Sequence, residues 1–304
     1  MPKLIAHRFQ LQRLLGEGTF AEVWQALDIG STDIGLPKKT VALKIFRSLA
    51  HAGNPASWEP LKNEIAAAYR LPPHPNIVSV LAIVQAVYFN EKETPCLILD
   101  YVAGMNLAEF LQPLPPPTLQ NFSVRLQVMT ALLSALAHCH VNGVVHRDLS
   151  FGNLLICLED PQLSKLTDFG SSQTQLSQQS LTALQDPAGT LQPINHPPYA
   201  TSLSLADGFR RDIYGFAVLC YLTLTGKHPL SENWQSMRTG QWHAVPNPHV
   251  SIARKPLATV APWLKPLPQL KALSALLLAC LAPDISDRPL SAVSVWSDWQ
   301  KMFP

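Results

Sequence analysis

The sequence predicts an α+β fold of two lobes, a small lobe built on an antiparallel β-sheet and a larger lobe that is mainly helical. Two observations predict this fold. Up to about residue 100, short segments of alternating or β-branched residues are separated by turns, as is typical of antiparallel strands. Beyond residue 101, long apolar segments with helical spacing follow one another. We therefore expect one domain over residues 1–304, with the small lobe at about 1–100 and the large lobe at about 101–304.

The small lobe is expected to contain five strands and one helix. Residues 30–39 are turn-rich and predict a loop longer than a tight hairpin needs. A helix is predicted over 58–71, because Leu61 and Ile65 recur at helical spacing, and Pro72 would end it. The strands are predicted at 9–15, 21–26, 40–46, 77–87 and 96–101.

The large lobe opens with a proline-rich connector at 113–117, most simply a stiff link, with a docking peptide as the alternative. A long, mostly buried helix is predicted over 122–142, ended by Gly143. The apolar stretches 213–225 and 272–282 are shorter than the roughly 18 residues of a membrane span. They predict buried helices.

Composition limits the possible partners. The formal net charge is +2 with no long run of one sign, which argues against a nucleic-acid partner. The five cysteines lack C-x-x-C spacing and lie in apolar segments, so we expect buried free thiols. The first residues have too short an apolar run for a signal peptide. We expect a cytoplasmic protein with no membrane partner.

Two features of the small lobe suggest phosphate binding. Gly16 and Gly18 lie on the first hairpin, where glycines let backbone N–H groups approach phosphate oxygens; Ala21 follows them in place of a third glycine. Lys44 lies within an apolar strand, where a charge is costly unless it is paired or at an edge. It is either an edge lysine that reaches water or a phosphate-binding lysine held by Glu64, with Glu59 as the fallback.

The large lobe carries two acids and an amide at informative spacings. Residues 146–153 read His-Arg-Asp-Leu-Ser-Phe-Gly-Asn, and Asp168 begins an Asp-Phe-Gly segment. Asn153 and Asp168 offer the hard oxygen ligands that Mg²⁺ prefers. Asp148 could orient an attacking hydroxyl and accept its proton. Either segment by itself indicates only a loop, but together they indicate a phosphoryl-transfer site.

In their order and spacing, these motifs resemble those of the eukaryotic-type (Hanks-type) protein kinase family over about residues 7–299. The resemblance implies a protein-kinase-like fold and the use of ATP and Mg²⁺. Mapped by position, it implies four catalytic residues, Asp148, Lys44, Asn153 and Asp168, with Asn153 and Asp168 also holding the metal.

The resemblance also implies a nucleotide pocket and a set of supporting residues. The pocket would consist of Gly16 and Gly18 at the turn, Leu15 and Val23 over the adenine, Ala42 above it and Leu155 below it, Lys44 and Glu64 at the phosphates, Leu99 at the gatekeeper position, and Asp100 and Val102 at the hinge. The supporting residues would be His146 and Phe169 in a stack that joins the lobes, Asp212 as the acid that caps the catalytic loop, and Arg288 as the family's late arginine.

The sequence departs from the family in two places. Ser150 stands where serine/threonine kinases carry a lysine, and Gly152 stands where tyrosine kinases carry an arginine. Without either cation, we expect slower transfer unless another group replaces it. The family's Ala-Pro-Glu is absent at 197–201, so no glutamate is available there for Arg288.

The expected function is transfer of the ATP γ-phosphate to serine or threonine hydroxyls of protein substrates, with activity reduced by Ser150. The alternatives are a kinase of a small hydroxylated molecule and an ATP-binding pseudokinase or scaffold. Arg147 would suit control by phosphate on the activation segment, with autophosphorylation within 171–190. The candidate acceptors are Ser171, Ser172, Thr174, Ser177, Ser180, Thr182 and Thr190.

Overall fold

The computed structural model describes residues 4–18, 21–30, 39–46, 58–87, 93–112, 117–174, 204–227, 229 and 255–304. In these residues the chain forms a small lobe built on an antiparallel sheet and a larger, mainly helical lobe. The predicted α+β fold of two lobes is confirmed. That the whole chain is one domain stays a prediction.

The small lobe places Lys44 in the middle of its sheet. Six antiparallel strands pair in the order β1-β2-β3-β4-β6-β5, where β1 is Leu4–Ile5, β2 is Phe9–Glu17, β3 is Glu22–Asp28, β4 is Lys39–Ile45, β5 is Val80–Val87 and β6 is Glu93–Asp100. Lys44 of β4 lies opposite Val23 on one side and Leu97 on the other. The edge-lysine interpretation is therefore wrong, since Lys44 is central and only 8% exposed.

One predicted strand is shorter than expected. The strand predicted at 77–87 begins at Val80, because Ile77 instead forms an isolated parallel bridge with Leu166 of the large lobe. The sequence does not predict β1, whose two residues are too few to show an alternating pattern.

The predicted small-lobe helix is confirmed as α1 (Glu59–Arg70). Leu61, Glu64 and Ala67 are buried, and their spacing of three residues puts them on one face of the helix. Leu71 is extended, and two prolines follow it. Burial of this face fixes Glu64 toward the interior.

The large lobe is built around two buried helices. Within its described residues, its α-helices are α2 (Leu107–Leu111), α3 (Leu119–Val141), α4 (Leu205–Thr225), α5 (Leu257–Val260), α6 (Leu270–Cys280) and α7 (Ala292–Met302). All of residues 212–225 are buried, as predicted for the apolar stretch at 213–225. The Ser204 Oγ accepts a hydrogen bond from the Asp207 N–H at the start of α4, and Gly226 ends it with a φ of 69°.

α3 is the central helix of this lobe. By length and composition it could cross a membrane, but 61% of its apolar stretch is buried inside the protein. It begins at Leu119, three residues before the predicted start, where Asn121 Oδ1 accepts from the Thr118 N–H at 2.9 Å. Thr130 on α3 accepts a hydrogen bond from Trp299 Nε1 of α7 at 3.0 Å, which ties the last helix to the core.

Five short strands hold the predicted catalytic segments. β7 (Gly104–Asn106), β9 (Leu154–Cys157) and β10 (Lys165–Leu166) form one sheet, and β8 (Val144–Val145) pairs with β11 (Gln173–Thr174). Residues 146–153 lie between β8 and β9, and Asp168 lies between β10 and β11. Gly104 is required in β7, because a Cβ atom there would collide with the carbonyl oxygen of Ile156. None of these strands is predicted by the sequence.

The two lobes are joined by a clasp of hydrogen bonds, made by residues 75–78 and 162–166. Asn76 Nδ2 donates to the carbonyl oxygens of Gln162 (2.6 Å) and Ser164 (3.0 Å). The Val78 N–H donates to the Leu166 oxygen at 3.0 Å, and the Leu166 N–H donates to the Asn76 oxygen at 2.8 Å. This clasp places the end of α1 next to the segment that leads to Asp168.

Candidate active site

Asp212 on α4 holds the loop 146–153 in place through hydrogen bonds. Asp212 is 2% exposed, and its carboxylate accepts hydrogen bonds from the backbone N–H groups of His146 at 2.7 Å and Arg147 at 2.8 Å. Arg147 has a φ of 69°, a left-handed conformation that costs a non-glycine residue about 1–3 kcal/mol. The two hydrogen bonds therefore hold a strained backbone in place, as the resemblance implies for Asp212.

A third donor reaches Asp212 from α3. His140 Nδ1 accepts the Ala292 N–H at 2.9 Å, so its other nitrogen, Nε2, carries the proton and donates to Asp212 at 3.2 Å. The sequence analysis missed His140. A polar residue on an otherwise apolar helix face, six residues before His146, was the available signal.

His146 and Phe169 lie together, as the resemblance implies. Their rings meet edge to face with centroids 4.8 Å apart, and both side chains are buried. His146 Nδ1 accepts the Asp148 N–H at 3.3 Å, so Nε2 donates to the Thr167 carbonyl at 3.0 Å. The imidazole thus connects the loop that carries Asp148 to the segment that carries Asp168.

Asp148 and Asn153 face each other across the loop. The Asn153 amide nitrogen donates to the Asp148 carbonyl oxygen at 2.8 Å and to its Oδ2 at 3.1 Å. The side-chain oxygen of Asn153, Oδ1, is therefore the atom of that amide that is left to bind a metal. The structure brings together the predicted proton acceptor and one predicted metal ligand.

Lys44 joins the small lobe to Asp168. Its Nζ lies 2.7 Å from Glu64 Oε2 and 2.8 Å from Asp168 Oδ1. The sequence prediction that Glu64, and not Glu59, holds the lysine is supported, because Glu59 pairs on the surface with Lys62 at 3.0 Å. Asp168 also has a positive φ of 64°, and its Oδ1 accepts the Gly170 N–H at 3.2 Å.

The pKa values of Lys44, Asp168 and Glu64 show which of the two carboxyl groups is harder to ionise. Burial opposes the charge on Lys44, but Glu64 and Asp168 outweigh it and raise the pKa of Lys44 above its usual value. Burial also opposes ionisation of Asp168, but Lys44 and the Gly170 N–H outweigh it and lower the pKa of Asp168. For Glu64, burial dominates and the Asp168 charge adds to it, so its pKa rises to about 7 despite Lys44. One cation serves two carboxylates, and the more buried carboxylate, Glu64, is the harder to ionise.

An apolar cluster lies between β4, β6 and β9, next to this charged group. Ala42 and Leu99 are buried in it, and three further predicted pocket residues, Val23, Val102 and Leu155, pack against it. The structure thus brings together five of the residues predicted to form the nucleotide pocket. Leu15 is different: it is 40% exposed on β2 and is not one of the side chains of this cluster.

The predicted turn and hinge residues lie at the two ends of this cluster. Gly16 is in β2, and the Gly18 N–H donates to the Ala21 carbonyl at 2.9 Å, which links the residue after β2 to the residue before β3. At the other end, the Asp100 N–H donates to the Ser79 carbonyl at 3.0 Å, and its carboxylate accepts from Lys39 at 3.3 Å. Val102 follows the end of β6, so its backbone groups lie beyond the sheet.

The departures from the family pattern are only partly visible. Ser150 is 8% exposed, and its carbonyl accepts the Asn153 N–H at 3.2 Å. The guanidinium of Arg288 lies 4.4 Å from the centre of the Tyr214 ring, and its Nε donates to the Ala282 carbonyl at 2.8 Å. The segment at 197–201 lies outside the described residues.

The predicted phosphorylation sites differ in access. Ser172 and Thr174 are buried, at 2% and 1% exposure, whereas Ser171 is exposed. The other candidates, at 177, 180, 182 and 190, lie outside the described residues, as do residues 113–116 of the proline-rich connector.

All five cysteines are free; four of them are buried, and Cys157 is partly exposed.

Comparisons with known proteins show the family of the chain. Residues 9–299 match the family model described as the protein kinase domain. The chain is 29% identical over 303 residues to the serine/threonine-protein kinase pkn3 of Myxococcus xanthus, covering 98% of this chain and 50% of that protein. It is 30% identical over 230 residues to the serine/threonine-protein kinase PrkC of Bacillus subtilis, covering 75% of this chain and 32% of that protein.

A solved structure shows the same fold. The kinase domain of Mycobacterium tuberculosis PknI, crystallised as a double mutant, superposes with a TM-score of 0.64 at 20% identity, covering 99% of this chain and 97% of the other. The chain spans half or less of the length of the two curated relatives above.

Proposed function

The chain belongs to the protein kinase family through residues 9–299, and we propose that it transfers the γ-phosphate of Mg·ATP to serine or threonine hydroxyls of protein substrates. The observation that carries this proposal is the position of Lys44 Nζ, 2.7 Å from Glu64 and 2.8 Å from Asp168. A buried lysine held by two acids from different lobes has a clear chemical use in binding phosphate. The relatives pkn3 and PrkC are serine/threonine-protein kinases, which supports serine or threonine as the acceptor.

The family generally uses ATP and Mg²⁺, and the residues of this site fit a magnesium ion. Mg²⁺ binds proteins through one or two carboxylates together with substrate phosphates. Asp168 supplies a carboxylate whose side chain is 43% exposed, and the side-chain oxygen of Asn153, Oδ1, can serve as a second ligand because the amide nitrogen makes the hydrogen bonds to Asp148. Bound there, Mg²⁺ would neutralise charge on the phosphates.

The protein's own groups can then orient the reaction. Lys44 presents an ammonium group to the phosphate oxygens, and its two carboxylate partners restrict its position. Asp148 orients the acceptor hydroxyl and takes its proton as the new oxygen–phosphorus bond forms and the bond to the leaving oxygen breaks. The apolar cluster at Ala42 and Leu99 would offer apolar side chains for the adenine ring to pack against.

The direct test is incubation of the purified chain with labelled Mg·ATP and a panel of generic protein substrates, and in parallel with small hydroxylated molecules. Label on serine or threonine supports the proposal. Label only on a small hydroxylated molecule would instead favour a kinase of small molecules, the alternative that Ser150 suggests. Thermal stabilisation by ATP without any transfer would favour a pseudokinase.

Introducing the missing cation tests the role of position 150. We predict that Ser150→Lys raises kcat by about 10-fold, because a positive charge near the transferred phosphoryl group stabilises the transition state. Ser150→Met is the matched control, since it adds similar length without charge. Steady-state rates of the three proteins provide the measurement. If kcat does not rise, another group already supplies the charge.

The raised pKa of Glu64 predicts a pH dependence. Below about pH 7, Glu64 takes up a proton and holds Lys44 less firmly, so kcat/KM for ATP should fall with an apparent pKa near 7. The Glu64→Gln variant should be slower at every pH, and its kcat/KM should not fall as the pH drops below 7. A wild-type profile that is flat on both sides of pH 7 would contradict the prediction.

The same shift has the opposite sign for stability. An acid whose pKa is raised by folding stabilises the protonated protein. The contribution of Glu64 to the free energy of unfolding is therefore lost as pH rises from about 4.5 through 7.

A further inference from the structure

Asn63 makes a contact that the predicted mechanism does not use. It lies on α1, one residue before Glu64, and its Nδ2 donates to the Gly170 carbonyl oxygen at 2.9 Å. Gly170 is two residues after Asp168. One helix of the small lobe therefore reaches the segment around Asp168 by two routes, through Glu64 and Lys44 and directly through Asn63.

The contact bears on the orientation of the Asp168 carboxylate. The Gly170 N–H donates to Asp168 Oδ1 at 3.2 Å, while the Gly170 carbonyl accepts from Asn63. The peptide groups on both sides of Gly170 are thus fixed, one by the carboxylate and the other by the amide. Because Asp168 has a positive φ of 64°, it needs such external restraint to keep its conformation.

Two further contacts hold the same segment against α1. Ser172 Oγ donates to the Asn63 backbone oxygen at 3.3 Å, while within the segment itself the Ser172 N–H donates to the Phe169 oxygen at 2.9 Å. Gly170 also packs closely on the first turn of α1: a Cβ atom on it would lie 3.4 Å from Pro60 Cβ. Residues 168–172 therefore rest on the helix at several points, with the Asn63 amide making the shortest hydrogen bond.

We propose that Asn63 is a positioning residue that couples the placement of α1 to the orientation of the Asp168 carboxylate, and so to metal binding. When α1 is in place, Glu64 holds Lys44 and Asn63 holds Gly170, and both fix Asp168. When α1 moves away, both restraints are lost together. This inference rests on the proposed function, because it assigns the metal to Asp168.

The test compares Asn63→Leu, which removes the amide donor at similar size and without charge, with Asn63→Ala and with the wild-type protein. Lys62→Ala is the control, since Lys62 lies on the same helix but pairs only with Glu59 at the surface among the described residues. ATP affinity is measured by titration with ATP, first in the presence of EDTA and then at increasing Mg²⁺ concentrations. Backbone hydrogen exchange is followed over residues 168–174.

Both Asn63 variants should raise the half-saturating Mg²⁺ concentration about 5- to 10-fold, the effect of one lost neutral hydrogen bond. Exchange should accelerate at Gly170 and Ser172, whose N–H groups lie in the affected turn. ATP affinity in EDTA and the thermal midpoint should match those of Lys62→Ala. Where wild-type transfer is measurable, kcat at limiting Mg²⁺ should fall more than at saturating Mg²⁺.

An unchanged Mg²⁺ dependence would overturn the proposal. So would a parallel loss of metal-free ATP affinity and thermal stability, because that pattern indicates a general structural role. If the wild-type protein shows no Mg²⁺-dependent nucleotide binding, the proposed function itself fails. The exchange experiment then still tests the contact, since unchanged exchange at Gly170 and Ser172 would contradict the coupling in the metal-free protein.

Discussion

Replacing Asp148 with asparagine should lower kcat by about 10²- to 10⁴-fold, the usual contribution of a positioned proton acceptor, while ATP still binds. Asparagine has the shape of aspartate, and its side-chain oxygen can still accept the hydrogen bond that Asn153 Nδ2 now makes to Asp148 Oδ2 at 3.1 Å. The loop geometry should therefore survive. What is lost is the basic oxygen that orients the acceptor hydroxyl and takes its proton.

The measurement pairs labelled phosphate transfer with ATP-induced thermal stabilisation. Asp298→Asn is the matched control, because Asp298 is 56% exposed on α7 and pairs only with Lys301 among the described residues. The control should keep the wild-type rate. Transfer by Asp148→Asn within tenfold of wild type would show that Asp148 is not the proton acceptor. Loss of ATP stabilisation as well would show that the change disturbs the pocket instead.

The parts of the fold that sequence predicts are those with a local pattern. The strands β2 to β4 could be predicted from alternating and β-branched residues between turns. The helix α1 could be predicted because burial of one of its faces imposes a helical period on the sequence. Lys44 and Glu64 could be predicted as partners for a related reason. A charge inside an apolar strand needs an opposite charge, and Glu64 is indicated because it lies ten residues before His74, a spacing like that of the family that the chain resembles.

The contacts between segments far apart in sequence could not be predicted in the same way. β8 and β11 have two residues each, which is too short for any periodicity, and they are stabilised by pairing over a separation of about thirty residues. The Asn76 clasp and the His140–Asp212 hydrogen bond depend on which segments meet in the folded chain. The amino acids at these positions carry no local mark of their partners.

The sequence predictions that agree best with the structure are those of polar residues whose orientation is restricted by hydrogen bonds. Asp148, Asn153 and Asp168 were predicted from spacing, and the structure places each in a network that restricts its orientation. Leu15, which was predicted from position alone, lies exposed outside the apolar cluster. Polar residues with several geometric restraints are therefore better predicted by a motif here than an apolar residue at the mouth of a pocket.

Asp212→Ala should lower the free energy of unfolding by about 3–5 kcal/mol, the usual cost of removing one partner from a buried charged network. The change leaves three donors without their acceptor: the backbone N–H groups of His146 and Arg147, and His140 Nε2. All three lie where water has little access. Arg147 would also be released from its positive φ, so the loop that carries Asp148 should relax.

Urea unfolding measures the stability loss, and Asp298→Ala at the surface serves as the control, with an expected change below about 0.5 kcal/mol. Asp212→Asn separates the loop from general stability. Its carbonyl oxygen can still accept one backbone N–H, but its amide group turns a donor toward another donor. At a temperature where Asp212→Asn is fully folded, kcat should therefore fall although ATP still binds. If kcat and stability of Asp212→Asn both match the wild type, the carboxylate does not hold the loop, and the strained φ of Arg147 must be maintained by other contacts.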